Sequence, residues 1–247
     1  MKNDTFFDAI SGNYDSMINS ENVIKMRSNV LKSFIQPEMK NAADVGCGTG
    51  NDSIALSLSG LNVTGFDNST EMFNTAKKNS GTYNQKIKFI HSPADKINTK
   101  YFNKFDIVVS LGNTVANIPE NKLDLSFKNI YNMLRINGVF VMQILNYTAI
   151  KKENKRIINI TEDKKNTYVR FYDFEKTNLV FNILSIYKSD NKKYTLLGTT
   201  LYPYDRNYLK AKLQKAGFNN LKFYSDFIKG KFNSIKSKDL VIEAVKK

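Results

Sequence analysis

The sequence predicts a doubly wound α/β sheet with an antiparallel β meander inserted into it. Two observations support this fold class. Apolar strand segments alternate with helical segments through the first 146 residues, an order typical of parallel strands joined by right-handed crossovers. From about residue 147, apolar residues alternate with period two along segments that are separated by turn-like links, which is typical of antiparallel strands.

The alternating part contains five strand candidates. The first is a short apolar run that ends at Val45. The other four cover residues 62–67, 86–91, 105–110 and 138–145. Segment 105–110 is almost continuously apolar, as expected of a parallel strand that is covered on both faces.

Helical segments separate these strands. Ile54 and Leu58 recur at helical spacing after the first strand, and segment 69–79 forms the next helix, with Ser69 as its N-cap candidate. The clearest helix covers 120–134, where five apolar residues fall on one stripe. These residues are Leu123, Phe127, Ile130, Tyr131 and Leu134.

The antiparallel insert is predicted at about 148–203, with turn-like links such as the one at 189–192. A helix over 205–216 follows, with Asp205 as N-cap candidate and Gly217 as its stop signal. Strands near 218–228 and 239–245 bring the total in the main sheet to seven. A length of 247 residues suits one domain, 1–247, with a modest insertion.

The net charge of +14 suggests two interpretations, a nucleic-acid footprint or a solvated lysine-rich surface. Lysine supplies 32 of the 37 basic residues, and asparagine is about as common, as AT-rich codon usage would produce. The lysines are scattered, and the densest clusters, at 151–156 and 164–165, are predicted to lie in a solvated loop. We therefore favour the solvated surface and expect no nucleic-acid partner.

Composition also indicates the cellular compartment in which the protein is expected. The chain has no apolar run near 18 residues and no leader-like N-terminus, so neither a membrane span nor a signal peptide is expected. Cys47 is the single cysteine, which excludes an internal disulfide and suits a reducing cytoplasm. We expect a cytoplasmic protein.

A glycine-rich loop follows the first strand. Gly46, Gly48 and Gly50 alternate directly after Asp44 and before a helix. Such a loop presents unpaired backbone N–H groups and the positive end of a helix dipole, and its glycines let a ligand approach closely. It lies at the carboxyl end of a strand, where open α/β sheets bind ligands. The alternative is an ordinary glycine-rich turn.

Acidic residues at the ends of the next two strands favour a ligand. Asp67 ends the second strand, where its carboxylate can accept both hydroxyls of a ribose. Asp95 follows the third strand, within reach of an adenine amino group. The spacing G-x-G-x-G differs from the G-x-G-x-x-G of NAD-binding turns, and no P-loop lysine follows. An adenosine with a small zwitterionic tail fits better, and S-adenosylmethionine is such a ligand.

Several motifs together resemble the class I S-adenosylmethionine-dependent methyltransferases, and more narrowly glycine N-methyltransferase and its bacterial small-molecule relatives. The matching segments are DVGCGTGNDSI at 44–54, VTGFD ending at Asp67, FDIVVSLGNTVANIP at 105–119, LSFKNIYNMLRINGVFVMQILNY at 125–147, LYPY at 201–204 and SDF at 225–227. The resemblance covers about residues 5–247. It implies a Rossmann-like seven-stranded sheet, mostly parallel with the last strand antiparallel, and an N-terminal helical lid at about 1–38.

The resemblance also implies site residues. Those that would bind the cofactor are Asp44, Gly46, Cys47, Gly48, Thr49, Gly50, Asp67, Asn68, Met72, Ala94, Asp95 and Leu111. Asn113 would lie beside the acceptor, Tyr14 would cover the site from the lid, and Tyr202 would face the acceptor from the insert, where an aromatic ring attracts a sulfonium or ammonium. The cofactor would be S-adenosylmethionine, with S-adenosylhomocysteine as product.

One position departs from the resembling family. The glycine-acting enzymes have an arginine before the Asn-Tyr that ends the fifth strand, and it binds the amino acid carboxylate. This chain has Leu145 there, before Asn146-Tyr147, and leucine cannot form a bidentate ion pair. Glycine is therefore not the expected substrate. Arg170 in the insert is a candidate replacement cation, with a solvent-facing strand arginine as the alternative.

The sequence is compatible with three functions. The leading one is in-line methyl transfer to a small amine or hydroxyl acceptor by a monomer or homodimer. It needs no triad or metal, and none is visible; His91, the only histidine, is expected to be structural. An RNA or protein methyltransferase is the second, although Ser110-Leu111-Gly112-Asn113 replaces the Asn/Asp-Pro-Pro-Tyr tetrapeptide that amino-modifying nucleic-acid enzymes use. The third is a non-catalytic cofactor-binding module.

Overall fold

A computed structural model of the protein describes residues 3–190 and 192–247. The first two residues of the predicted lid segment, and Asn191 in the predicted turn at 189–192, lie outside the described residues. Within the described part, no helix is both long enough and apolar enough to cross a membrane.

The centre of the molecule is a seven-stranded sheet. Its strands are β1 (Asn41–Val45), β2 (Asn62–Asp67), β3 (Lys88–His91), β4 (Phe105–Ser110), β5 (Leu134–Leu145), β10 (Asn220–Tyr224) and β11 (Asp239–Val245). They lie in the order β10-β11-β5-β4-β1-β2-β3. All neighbours pair in parallel except β11, which is antiparallel to both β5 and β10. The predicted fold class, including the antiparallel last strand, is confirmed.

Seven α-helices accompany the strands in the described ranges: α1 (Asn3–Ile18), α2 (Ser20–Val30), α3 (Asn51–Leu58), α4 (Thr70–Thr82), α5 (Glu120–Met133), α6 (Tyr147–Glu153) and α7 (Arg206–Ala216). Short 3-10 helices cover Leu31–Phe34, Ala94–Lys96, Thr99–Tyr101 and Thr114–Asn117. The Ser69 and Asp205 side chains accept hydrogen bonds from the N–H groups of Met72 and Tyr208, so both predicted N-caps are present.

The insert forms a separate antiparallel sheet of four strands, β6 (Ile157–Glu162), β7 (Asn166–Phe174), β8 (Leu179–Tyr187) and β9 (Tyr194–Leu201). The predicted loop over the first lysine cluster is right for Lys155 and Arg156 and wrong for Lys151 and Lys152, which belong to α6. β6 is an edge strand with mostly exposed side chains, and the adjacent Ile157 and Ile158 break the strict period-two alternation that reveals a strand in sequence.

Two apolar layers hold the central sheet. On one face α5 buries Leu123, Phe127 and Ile130 against β4 and β5, and α7 packs beside it. The predicted stripe of α5 is thus its core face, although Leu134 itself begins β5. On the other face, Leu56 of α3 packs with Val63 and Ile107. The two layers leave the carboxyl ends of β1, β2 and β4 open toward α1 and α2.

Candidate functional site

A cavity of about 340 Å³ lies at the carboxyl ends of β1, β2 and β4. β1 is flanked by β2 on one side and β4 on the other, so the chain reverses its winding direction at this point. Ligands of open α/β sheets bind at such a switch point. The helices α1 and α2 contribute the opposite wall through Phe7, Tyr14, Ile18, Val23 and Arg27.

The glycine-rich loop forms the cavity floor. The N–H groups of Gly46 and Cys47 both donate to the carbonyl oxygen of Phe66, at 2.7 and 3.0 Å, which folds the loop back over β2. Gly46 has a φ of +78°, and a Cβ there would lie 2.1 Å from Cγ2 of Thr114. The loop therefore needs glycine at this position for both its conformation and its close packing.

Asp67 lies beside this loop at the end of β2. Its Oδ2 accepts a hydrogen bond of 2.7 Å from the Gly48 N–H, and its Oδ1 accepts one of 2.9 Å from the Ser69 N–H. Only 9% of the residue is exposed, and burial raises the carboxyl pKa despite these bonds. The carboxylate is thus fixed in direction at the cavity wall, with further acceptor capacity for a ligand.

Asp44 lies beneath the loop and does not line the cavity. The hydroxyl of Ser53 on α3 donates to its Oδ2 at 2.7 Å, and the residue is 1% exposed. Burial raises the pKa of Asp44 to about 8, with the charge of Asp52 as the next cause. Gly50, at the start of α3, also lies outside the cavity lining; its φ is +88°.

The far side of the cavity is formed after β3. Ala94 and Asp95 line it from a short 3-10 helix, and Asn129 of α5 donates to the Ala94 carbonyl oxygen at 3.0 Å. The Nζ atom of Lys122 lies 3.7 Å from Oδ2 of Asp95, so a positive charge offsets the charge of this carboxylate at the cavity rim. Met72, which is buried, and Asn68 close the same side.

Two aspartates attach α1 to the glycine-rich loop and to α4. Asp8 accepts hydrogen bonds from the Ser69 hydroxyl at 2.6 Å and from the Glu71 N–H at 3.1 Å. Asp15 accepts one from the Thr49 hydroxyl at 2.5 Å and one from the Asn79 amide at 2.7 Å. Neither contact was part of the sequence prediction, because sequence shows no pairing between positions this far apart.

Tyr14 projects from α1 into the cavity lining. Its side chain is half-buried, and burial raises the pKa of its hydroxyl to about 12, with Asp52 as the next cause. The phenol is therefore neutral at physiological pH.

Arg170, the candidate cation of the insert, donates to the Met17 carbonyl oxygen at 3.1 Å and so supports the end of α1.

Arg27 on α2 is a cavity residue that the sequence reasoning missed. It is 9% exposed, its Nε lies 3.0 Å from Oδ1 of Asp52, and its guanidinium lies 4.2 Å from the centre of the Phe227 ring. Its Nη1 is buried and has no hydrogen-bond partner among the described residues. The available signal was the rarity of arginine, with five in a chain of 32 lysines.

Asn113 and Tyr202 do not line this cavity. The Asn113 amide donates to the Tyr147 hydroxyl at 2.7 Å, and its oxygen accepts the Leu145 N–H at 3.0 Å, so this side chain joins the LGNT loop to the end of β5. Tyr202 stacks on Tyr204, and its N–H donates to the Ala116 carbonyl oxygen at 2.7 Å.

The structure therefore brings eleven predicted residues to one cavity. They are Tyr14, Gly46, Cys47, Gly48, Thr49, Asp67, Asn68, Met72, Ala94, Asp95 and Leu111. Asp44, Gly50, Asn113 and Tyr202 surround it without lining it. Among the residues that the structure describes, no group of three or more His, Cys, Asp or Glu side chains has a geometry that would hold a metal ion.

Comparisons with known proteins agree with this geometry. A protein-family model described as a methyltransferase domain matches residues 42–138. A carboxy-S-adenosyl-L-methionine synthase from Campylobacter concisus (strain 13826) is 30% identical over 196 residues, which cover 76% of this chain and 82% of that protein. A glycine/sarcosine N-methyltransferase from Aphanothece halophytica is 24% identical over 200 residues, covering 80% and 73%.

A solved structure shares the fold over nearly the whole chain. It is an S-adenosylmethionine-dependent methyltransferase from Clostridium acetobutylicum ATCC 824, with a TM-score of 0.80 and 19% sequence identity. The match covers 97% of this chain and 98% of that one. The likeness therefore includes the inserted sheet and the N-terminal helices as well as the central sheet.

Proposed function

We infer that this chain, which belongs to the class I S-adenosylmethionine-dependent methyltransferases, methylates a small molecule through an amine or hydroxyl group. The observation that carries the proposal is the cover that α1 and α2 place over the glycine-rich loop. Hydrogen bonds of Asp15 and Asp8 attach α1 to this loop and to the start of α4. A volume of about 340 Å³ is within the size range of small-molecule sites.

The residues present fit the cofactor by charge. S-adenosylmethionine carries a sulfonium, an ammonium and a carboxylate, so it combines two positive charges with one negative charge. Three carboxylates line the cavity, those of Asp52, Asp67 and Asp95. The buried Nη1 of Arg27 has no hydrogen-bond partner in the described part of the chain, and a carboxylate of the ligand would supply one.

The fit gives each part of the cofactor a proposed partner. Asp67 would accept the ribose hydroxyls, as its direction at the end of β2 allows. The adenine would lie between Met72 and Ala94, with Asp95 at its amino group. Arg27 would bind the methionine carboxylate beside the positive end of α3.

When bound, the cofactor would supply a methyl group on a sulfonium; an acceptor lone pair would bond to the methyl carbon as the carbon–sulfur bond breaks, with S-adenosylhomocysteine as the leaving group. The contribution of this chain is placement, and a well-oriented reaction of this kind gains about 7–11 kcal/mol over free encounter. Tyr14 and Leu111 would confine the space at the reacting end, and the cover formed by α1 would exclude water. The amide of Asn113 would position the LGNT loop through Tyr147 and Leu145 rather than touch the reacting atoms.

The acceptor is proposed to be other than glycine. Leu145 is half-buried and packs against the apolar core at the end of β5, so this position offers no cation for an amino acid carboxylate. Arg170 is engaged with Met17 and with Thr161, at 3.1 and 3.4 Å, which supports a structural role for it. An acceptor that places no carboxylate beside Leu145 suits this apolar position better than glycine does.

The test is a product assay. Purified protein with methyl-labelled S-adenosylmethionine and a small-molecule cell extract should transfer label to a low-mass product, and S-adenosylhomocysteine should form in equal amount. Label in RNA or protein instead would favour the second function considered from the sequence. Because one relative is named a carboxy-S-adenosyl-L-methionine synthase, the cofactor itself should also be analysed; a carboxylated cofactor with no methylated product would contradict the proposal.

A further inference from the structure

A second groove lies at the amino ends of the strands, at the opposite end of the sheet from the cavity. It has a volume of about 490 Å³ and is bordered by the first residues of β1 and β2, by β3 and by the segment before β4. Five cationic side chains line it. They are Lys86, Lys88, Lys100, Lys104 and Arg135.

These cations are largely without acidic partners. Arg135 forms an ion pair of 2.9 Å with Asp106. The four lysines have no carboxylate within 4.0 Å in the part of the chain that the structure describes, and all four are exposed. Like charges brought together without counter-charges repel one another, so an anion that enters the groove is favoured.

Tyr101 forms part of the groove wall and supplies an independent observation. The residue is 8% exposed, and its hydroxyl is buried with no hydrogen-bond partner among the described residues. The ammonium groups of Lys88 and Lys100 lie 5.6 and 5.3 Å from the centre of its ring. The ring therefore helps to hold both ammonium groups at the groove wall, since a cation is attracted to an aromatic face.

We propose that this groove binds a small ligand with several phosphate groups, such as an oligophosphate or a nucleotide. Phosphate oxygens are acceptors suited to the lysine ammonium groups, which have no carboxylate partner. A groove of about 490 Å³ is within the size range of small-molecule sites. Single-stranded RNA is less suitable, because the Tyr101 ring is buried against Phe66 and offers no free face for a base.

The experiment is titration of the full-length protein with inorganic tripolyphosphate by calorimetry at about 0.15 M salt. We expect saturable binding of one ligand per chain. Lys88→Gln/Lys100→Gln should weaken it about 10- to 100-fold, since two charge-assisted hydrogen bonds are lost.

Lys210→Gln/Lys236→Gln is the matched control, because it removes the same charge from two exposed lysines that do not line the groove. It should change the affinity less than twofold, and both double variants should keep the wild-type affinity for S-adenosylhomocysteine. Equal loss in the two double variants, or no saturable binding by the wild type, would overturn the proposal. Tight binding of poly(U) that tripolyphosphate does not displace would assign the groove to RNA and also overturn it.

Discussion

Asp15 and Thr49 join two parts of the molecule that are 34 residues apart in sequence. The Thr49 hydroxyl of the glycine-rich loop donates to the Asp15 carboxylate of α1 at 2.5 Å. The same carboxylate accepts the Asn79 amide of α4, which also donates to the Thr49 carbonyl oxygen at 3.0 Å. The cover of the cavity is thus attached to the segment that forms its floor.

Asp15→Ala should loosen this cover. Loss of the two hydrogen bonds should raise the Kd for S-adenosylhomocysteine about 5- to 30-fold, at roughly 1 kcal/mol for each bond. Hydrogen exchange of α1 amides should become faster in the same variant. Asn13→Ala, at an exposed position of the same helix, is the control and should change neither quantity. Unchanged affinity in Asp15→Ala would remove the proposed link between cover and loop.

Asp67→Ala tests the proposed ribose site. S-adenosylhomocysteine at about 100 times its Kd should stabilise the wild type by about 2.7 kcal/mol, which raises the Tm by about 5–10 °C. The variant should lose this shift because the cavity loses its fixed carboxylate. Asp106→Asn is the control, since Asp106 also accepts two backbone N–H groups, those of Lys40 and Asn41, but lies at the other end of the sheet. The control should keep the full shift.

Arg27→Met tests the proposed carboxylate partner. Loss of a charge-assisted contact of about 1.5–3 kcal/mol should weaken S-adenosylmethionine binding about 10- to 100-fold. The wild type should prefer the cofactor over its decarboxylated analogue, and the variant should bind both alike. Arg206→Met is the matched control, because Arg206 lies 4.4 Å over the Phe223 ring much as Arg27 lies over Phe227. If the variant still prefers the intact cofactor, Arg27 has a different role.

Asp44 should make stability depend on pH. Burial raises its pKa to about 8, so between about pH 4 and pH 8 the folded protein holds a proton that the unfolded chain has released. The free energy of unfolding of the ligand-free protein should therefore fall as pH rises through this window, by at most about 1.4 kcal/mol per pH unit.

Asp44→Asn should flatten this slope and exceed the wild type in stability at pH 8, as measured by urea unfolding. Asp106→Asn should instead lower the free energy of unfolding at neutral pH and reduce the loss of stability on acidification. The backbone N–H groups of Lys40 and Asn41, together with Arg135, hold the pKa of Asp106 below its usual range against a burial effect that raises it. Its contribution is therefore present above its unfolded pKa and lost on acidification. A wild-type stability that is constant from pH 5 to 8 would contradict the assignment to Asp44.

Leu145 should govern the response to glycine. The wild type should transfer no label from S-adenosylmethionine to glycine above background, because Leu145 supplies no charge for a carboxylate. Leu145→Arg should produce measurable methylation of glycine, and Leu145→Met, which keeps an apolar side chain of similar volume, should not. Efficient methylation of glycine by the wild type would show that Leu145 does not exclude it.

The sequence by itself determined the central fold and much of the cavity wall. Strand and helix periodicity are local, so β1 to β5, α5 and the cap of α4 at Ser69 were readable from neighbouring residues. Gly46, Gly48 and Asp67 were readable in the same way, because each lies at or just after the end of a predicted strand. The edge strand β6 was missed because the adjacent Ile157 and Ile158 break the period-two alternation.

Only the tertiary structure decided which residues meet across the cavity. Asp15 of α1 contacts Thr49 of the glycine-rich loop, Arg27 of α2 contacts Asp52 of α3, and Asn113 turns away from the cavity toward Tyr147. Lys86 and Lys88 meet Lys100, Tyr101 and Lys104 because parallel strands align their amino ends. Contacts of this kind depend on packing between elements distant in sequence, and local periodicity contains no information about that packing.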